Sequence, residues 1–397
     1  MDSPAPTAQA RRTPLVLAAL TIIAILGFAG VSRLVTRLKA NEKRIAFHAF
    51  EAGLAEFQAG HPERALDDFR AALSYDRDNP QYQLSLARAL RDTGRLDESE
   101  AYLLHLWEGS PQDSTINLAL ARLAVRRHAV EDAIRHYHNA IYGVWSSEPD
   151  KNRRQCRIEL IDFLLQGKGF PQAQAELIAL TQVLPPDPAQ QLAVADRFRQ
   201  AQDLPDALAR YQAVLKLDRK SASAFAGAGD VAFQLGRYRT AENDLRKAIE
   251  LNPSDAESRR QLETASLVLA TDPFLRRISD AERDRRIVSV FNQAGNRLKA
   301  CARAIHVDLP STASPGKATN ANPMPSAGND LPSLWTRWQA ARPKLRKLSS
   351  PANADLPDVL MDLILQIEQQ AAQQCGPPGG VDLALLLISR DREAVDE

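Results

Sequence analysis

A spacing of 34 residues recurs six times between residues 46 and 255. In this register the eighth position is small in five of the six frames, the twentieth is always Ala or Ser, and the twenty-fourth is always large and apolar. Paired helices approach to about 8–10 Å only where the crossing side chains are small. The repeat therefore predicts an array of helix pairs. The frames are 46–79, 80–113, 114–147, 154–187, 188–221 and 222–255.

The turn inside each helix pair falls at the fifteenth position of the frame. Three frames carry glycine there, which suits the left-handed conformation at a helix end. The other three do not, so the sequence defines their helix boundaries less well. A six-residue insertion, Glu148 to Arg153, separates the third frame from the fourth. The fifteenth residues are Gly60, Gly94, His128, Lys168, Gln202 and Gly236.

Composition agrees with an all-α chain and argues against a nucleic-acid partner. The 397 residues carry 50 basic and 49 acidic side chains, giving a formal net charge of +1. Proteins that bind nucleic acid normally show a clear basic excess. Helix-forming Ala, Leu, Arg and Gln are abundant, and no stretch alternates in the manner of a β-strand.

The repeat resembles the tetratricopeptide repeat, most plainly in frame 222–255, which contains GRYRTAENDLRKAIELNP. The resemblance covers 46–255, with an extra capping helix expected at 256–270. It implies an all-α solenoid of six repeats, wound as a right-handed superhelix. It further implies that the first helix of each pair lines a concave face that binds peptides or other proteins.

The resemblance also assigns the lining positions, which are the second, fifth, ninth, twelfth and thirteenth of each frame. They predict an apolar strip in the first frame, a basic surface in the second and third, and an acidic one in the last three. Ordinary solvated helix faces with Arg–Asp pairs between repeats would give the same pattern. The predicted groove residues are Phe47, Phe50, Leu54, Phe57, Arg88, Arg91, Arg122, Arg126, Asp162, Asp196, Arg199 and Asp230.

An apolar segment near the N-terminus predicts a membrane anchor at 14–32. Leu15 to Val31 carries no charge, and at about 1.5 Å per residue it just crosses a hydrocarbon core of about 30 Å. A cleaved signal peptide is the competing interpretation. A tail at 1–13 precedes the segment and a basic helix at 33–45 follows it. The excess of positive charge after the span favours a cytoplasmic C-terminal side, whereas the layout of a signal anchor favours export.

The C-terminal third predicts a small helical region without a recognised family. A capping box at Ser279 opens a helix within 273–306, a linker rich in Pro, Ser and Gly occupies 308–330, and further helices follow in 331–390. Cys301 and Cys375 lie on or beside apolar faces. Either a disulfide in an exported domain or two free buried thiols fits that placement.

No catalytic, cofactor or metal-binding motif is found in the sequence. We therefore expect a non-enzymatic scaffold without cofactor or small-molecule substrate. It would be anchored by one helix in a bacterial inner membrane, with the bulk of the chain outside the cytoplasm, and would bind proteins or peptides. Two alternatives remain: the same scaffold facing the cytoplasm, and a C-terminal enzyme or ligand-binding domain targeted by the repeats.

Overall fold

The computed structural model describes residues 12–310, 330–350 and 353–396. The chain divides into two compact units, Met1–Glu176 and Leu177–Glu397. Most of the predicted tail at 1–13 and of the predicted linker at 308–330 lies outside the described residues. Apart from an isolated bridge between Asp113 and Val144, the described residues form helices and turns without strands. The predicted all-α fold class of paired repeat helices is confirmed.

A single long helix, α1, runs from Arg12 to Gln58. Its 47 residues span about 70 Å. The predicted apolar span, the basic segment after it and the first repeat helix are thus one continuous rod. By length and composition this helix is able to cross a membrane, and its most apolar window is not buried against the rest of the protein.

Unit 1 continues as helix pairs joined by short turns. Successive helices contact one another from α1 through α7, and short connections make neighbouring helices antiparallel. Their bounds are α2 Pro62–Tyr75, α3 Pro80–Asp92, α4 Leu96–Gly109, α5 Ser114–Arg126, α6 Val130–Tyr142, α7 Pro149–Gln166 and α8 Phe170–Thr181, the last of which extends past the end of the unit.

The insertion at 148–153 lengthens a helix rather than forming a loop. Residues from Pro149 onward belong to α7, which has 18 residues where α5 has 13. The chain reaches α7 through a turn in which Val144 exchanges backbone hydrogen bonds with the segment Gln112–Ser114. Glu148, at φ 41°, precedes the first turn of the helix.

Unit 2 holds two further repeat pairs, a capping helix and a C-terminal bundle. The capping helix α13 contacts both α12 and α17. Within the bundle, the indole Nε1 of Trp338 donates a hydrogen bond to the carbonyl of Phe291 at 2.9 Å. The helices are α9 Pro188–Gln200, α10 Leu204–Leu217, α11 Ala222–Gln234, α12 Tyr238–Leu251, α13 Ala256–Thr271, α14 Asp280–Ala304, α15 Leu331–Ala341, a 3-10 helix Arg342–Lys347, α16 Leu356–Cys375 and α17 Gly380–Asp396.

All six repeat turns have the same conformation, whether or not the fifteenth residue is glycine. Each of these residues has φ between 58° and 82°. After each, the next backbone N–H donates to the carbonyl five residues earlier, for example Arg95 to Leu90 at 2.8 Å and Gly169 to Leu164 at 2.9 Å. This hydrogen bond closes the helix end in a Schellman-type turn. The register of the sequence thus locates the turn even where glycine is absent.

Candidate partner-binding sites

The aromatic strip predicted in the first frame is divided between core and surface. Phe50 is 2% exposed, and its ring centroid lies 4.6 Å from that of Tyr82. Leu54 and Phe57 pack, partly buried, against the same core. Phe47 is 51% exposed. The expectation that Phe50 meets a partner is therefore wrong, because α1 turns this residue towards α2 and α3.

Two of the predicted groove arginines are held by carboxylates of unit 1. The guanidinium of Arg122 donates to both oxygens of Glu159, at 2.7 and 2.9 Å. Arg91 pairs with the neighbouring Asp92 at 2.8 Å. A bidentate pair of this kind fixes the guanidinium. Arg122 and Arg91 thus have internal partners, Glu159 on α7 and Asp92 on α3, and neither partner was among the predicted groove residues.

Arg88 lies between these two pairs and has no ion pair in the described part of the chain. Its Nε is buried without a hydrogen-bond partner. Burial, followed by the charges of Arg122 and Arg91, lowers the pKa of the Arg88 guanidinium. Asp113 and Asp92 partly oppose this effect, but neither forms an ion pair with Arg88. Arg126 lies one turn after Arg122 on α5. It is exposed and likewise has no ion pair among the described residues.

Unit 2 contains a cleft of about 540 Å³ on the first helices of the last two repeats. It brings together Asp196 and Arg199 from α9 with Asp230 from α11, which are three of the predicted groove residues. The capping helix adds Asp255 and Glu257 at the far side. Asp162 belongs to unit 1 and is half-buried on α7.

Hydrogen bonds fix the acidic walls of this cleft. The Tyr211 hydroxyl donates to Asp196 Oδ1 at 2.5 Å, and burial followed by that bond raises the pKa of Tyr211. Asp230 accepts from Gln261 Nε2 at 2.8 Å and faces Arg199 NH1 at 3.4 Å. With four carboxylates against one guanidinium in the lining, the cleft favours a cationic group.

Sequence reasoning missed the residues of this cleft that lie outside the first helices. Tyr211 is on α10, and its ring passes so close to Gly227 that a Cβ there would lie 2.4 Å away. Asp255 caps α13 by accepting from Ser258 N at 3.0 Å. In the sequence, only Gly227 and the position of Asp255 at the end of its frame pointed to these residues.

A larger cleft of about 1120 Å³ also lies in unit 2, between the turn before α12, the end of α13 and the last helix. Its lining carries four arginines and two carboxylates: Arg237, Arg239, Arg276, Arg392, Asp272 and Asp391. Arg392 stacks over the Phe274 ring at 4.9 Å from its centroid. With four guanidinium groups against two carboxylates, this lining has a basic excess, unlike the acidic cleft.

The cysteines have distinct environments. Cys301 on α14 and Cys375 at the end of α16 are joined by a disulfide, with their Cα atoms 5.6 Å apart. Cys156 is fully buried in α7, and burial raises the pKa of its thiol to about 12. A thiol with so high a pKa is unreactive. Within the described ranges, no group of three or more His, Cys, Asp or Glu is arranged to hold a metal ion.

Comparison with known proteins identifies the repeats. The Tetratricopeptide repeat family matches residues 56–123 and again residues 192–260. No curated protein matches the chain.

Solved structures of repeat proteins are similar to the chain at low sequence identity. The C-terminal part of a TPR repeat-containing protein from Cytophaga hutchinsonii is 15% identical with a TM-score of 0.44, covering 60% of this chain and 92% of that one. The pilF protein of Pseudomonas aeruginosa is 16% identical with a TM-score of 0.39, covering 55% and 97%. YrrB, a TPR protein with an unusual peptide-binding site, is 17% identical with a TM-score of 0.38, covering 48% and 95%.

Proposed function

Because this chain is a tetratricopeptide-repeat protein, we propose that it is a non-enzymatic adaptor, anchored in a membrane by α1, that binds a segment of a partner protein. Proteins of this fold generally bind other proteins or peptides. The partner segment would lie along the first helices of the repeats. In unit 2 it would place a Lys or Arg side chain in the acidic cleft.

The observation that carries this proposal is the convergence of Asp196, Asp230 and Asp255 on one cleft. Their carboxylates are oriented by Tyr211, Gln261 and the start of α13. These side chains therefore need little rearrangement when a cation binds. A guanidinium or ammonium group entering there makes charge-assisted hydrogen bonds, which are stronger than neutral ones.

The Arg88 environment in unit 1 supports a second contact, with an anionic group. Arg88 is flanked by Arg91 and Arg122, and its buried Nε lacks a partner. A carboxylate from the partner would compensate the charge of this guanidinium. Arg126, exposed on the same face, would add a second cation at the surface.

The anchor is proposed from α1, whose most apolar window is not buried against the rest of the protein. The disulfide between Cys301 and Cys375 supports an extracytoplasmic location, because disulfides persist in oxidising compartments. We therefore favour a bacterial inner-membrane protein with both units outside the cytoplasm. The basic residues after the span favour the opposite orientation, and a topology reporter fused after Glu397 separates the two.

Peptide binding to the full-length protein in lipid nanodiscs tests the cleft. The probes are two labelled synthetic peptides of equal length, one with three arginines and the other with three glutamates at the same positions. We expect the basic peptide to bind more tightly. Each of Asp196→Asn and Asp230→Asn, which preserve shape and remove charge, should weaken it about tenfold. Glu250→Gln, exposed on α12, is the matched control and should bind as the wild type.

Photo-crosslinking in cells tests the same surface against its natural partner. A photoreactive residue placed at Ser223 in the cleft should give a crosslinked product that Asp230→Asn diminishes, while the same residue placed at Glu250 should not. Equal affinity for both peptides, or products at Ser223 that the charge variant leaves unchanged, would refute the cleft as the binding site.

A further inference from the structure

The part of α1 from the end of the apolar span to the first repeat presents an unpartnered apolar stripe. Val31, Leu34, Leu38 and Ile45 are 61%, 58%, 56% and 37% exposed. Basic residues surround them, so the segment is too charged to lie inside a bilayer. Apolar side chains in a row on an otherwise polar helix indicate a surface that another helix covers.

The spacing of this stripe matches that of a two-stranded coiled coil. Residues 31, 34, 38, 41 and 45 follow one another at intervals of three and four, the a and d positions of a heptad. The same register continues towards the N-terminus through Gly27, Ala24 and Leu20. The eight positions form more than three heptads without a break, in which Asn41 is the one strongly polar residue.

The side of α1 that carries the stripe is not the side that packs on the repeats. Ala46, Phe50 and Gly53 face α2, and the first two are 0% and 2% exposed. In the heptad these residues occupy b and f positions, on the outer side of the helix. A second helix along the stripe therefore leaves the repeat packing undisturbed.

We propose that α1 pairs in parallel with α1 of a second copy of this chain. The parallel orientation rests on the proposed membrane anchor, since two copies inserted by the same signal point the same way. In a parallel pair, the g position of one helix faces the next e position of the other. Here these are Arg37 and Glu42, opposite in charge. Neither has an ion pair in the described part of its own chain. Because the pair of helices has a twofold axis, it would contain two Arg37–Glu42 salt bridges.

Inside the membrane the seam contains two small residues between Leu20 and Val31. Ala24 and Gly27 let the two backbones approach closely, which favours helix association in lipid. A Cβ at Gly27 would meet nothing within 4 Å in the single chain. Outside the membrane, Leu34 and Leu38 supply the apolar contact, and Asn41, at a d position, faces its own counterpart across the seam.

Disulfide crosslinking in native membranes tests the seam. Leu34→Cys and Leu38→Cys place a thiol at seam positions, and Thr36→Cys and Lys43→Cys place one on the outer side of the same helix. All four sites are exposed, so folding is not at risk. The wild type gives the baseline, because Cys156 is buried and the other cysteines are bonded. We expect a product of twice the chain's mass, several-fold more abundant at the seam positions.

A charge exchange tests the partner and its orientation. Arg37→Glu alone or Glu42→Arg alone should lower crosslinking through Leu38→Cys, and the two together should restore it. Crosslinks equal at seam and outer sites, no crosslinks, or a product of another mass would overturn the pairing of two copies. Failure of the double exchange to restore crosslinking would overturn the parallel arrangement.

The same membranes separate this inference from the proposed function. Extraction of the chain by alkaline carbonate would refute the anchor, while the crosslinking pattern would still decide whether α1 pairs. Loss of peptide binding in the Asp230→Asn protein concerns unit 2 alone and does not depend on the seam.

Discussion

Gly53 lies directly against the ring of Phe69, so close that a Cβ on the glycine would come within 2.7 Å of two ring carbons. The two residues hold the eighth and twenty-fourth positions of the first repeat. At the same positions of the last repeat, a Cβ on Gly229 would come within 2.6 Å of Leu245 Cγ. The small and large positions of the repeat are thus the two sides of one contact.

Replacing Gly53 by alanine should destabilise unit 1. The added methyl must displace a fully buried Phe69 ring, and overpacking of this kind costs about 1–3 kcal/mol. Alanine regains about 1 kcal/mol through its higher helix propensity. The difference is a net loss of up to about 2 kcal/mol, measured as faster hydrogen exchange of α2 amides in the full chain.

Two further variants identify the cause of that effect. Gly109→Ala, where an added Cβ meets nothing within 4 Å, should be neutral or stabilising. Combining Gly53→Ala with Phe69→Leu reproduces the pair Ala87 and Leu103 of the second repeat, and should recover much of the protection. A loss of protection in Gly109→Ala as large as in Gly53→Ala would argue against the steric explanation.

The turns without glycine predict stabilising substitutions. Lys168 and Gln202 adopt φ of 58° and 60°, a conformation that costs most L-residues about 1–2 kcal/mol. Lys168→Gly and Gln202→Gly should therefore stabilise their turns. We expect about 0.5–1 kcal/mol each, because glycine also gains entropy in the unfolded chain. Hydrogen exchange of the flanking helices is the measurement.

The reverse change at a turn glycine is the control. At Gly94, φ is 81° and an added Cβ has open space, so Gly94→Ala isolates the backbone term and should destabilise by about 1 kcal/mol. If Lys168→Gly proved destabilising while Gly94→Ala was neutral, backbone strain would not govern these turns.

The register of the array was predictable because it depends on close contacts that admit few residue types. Ala65, Ala133 and Ala241 at the twentieth position are all fully buried. The continuity of α1 was not evident from composition. It follows from the lack of any helix-breaking proline between the apolar span and the turn at Gly60.

The candidate site was less predictable, because charge compensation depends on neighbours outside the lining positions. Glu159 neutralises Arg122 from α7, and Tyr211 orients Asp196 from α10. Neither Glu159 nor Tyr211 was among the predicted groove residues. The sequence predicted the acidic first-helix residues of the cleft in unit 2, but not the carboxylates that Asp255 and Glu257 add.

Removal of the disulfide should weaken the C-terminal bundle selectively. Cys301 and Cys375 are 74 residues apart in sequence, and closing a segment of that length stabilises by about 2–4 kcal/mol. In Cys301→Ser, Cys375→Ser protein we expect faster hydrogen exchange in α14 and α16, with unit 1 unchanged. Cys156→Ala is the control for loss of a cysteine. Unchanged exchange in α14 would contradict a structural role for the bridge.

A buried carboxyl group makes the bundle sensitive to pH. Glu368 on α16 is fully buried, and neither of its carboxylate oxygens has a hydrogen-bond partner among the described residues. Burial, assisted by Asp382 and opposed by Arg297, raises its pKa to about 8. Between about pH 4.5 and 8 the folded protein therefore holds a proton that the unfolded chain has released.

Stability should accordingly fall as pH rises through that window, because folding must take up a proton. Glu368→Gln keeps the shape and carries no ionisable proton, so its unfolding free energy should change less with pH. The gap between variant and wild type should widen from pH 5 to pH 8 and reach a few kcal/mol. Urea unfolding followed by Trp fluorescence measures it, since Trp335 and Trp338 lie in the bundle. Parallel pH profiles for the two proteins would show that Glu368 ionises normally in the folded state.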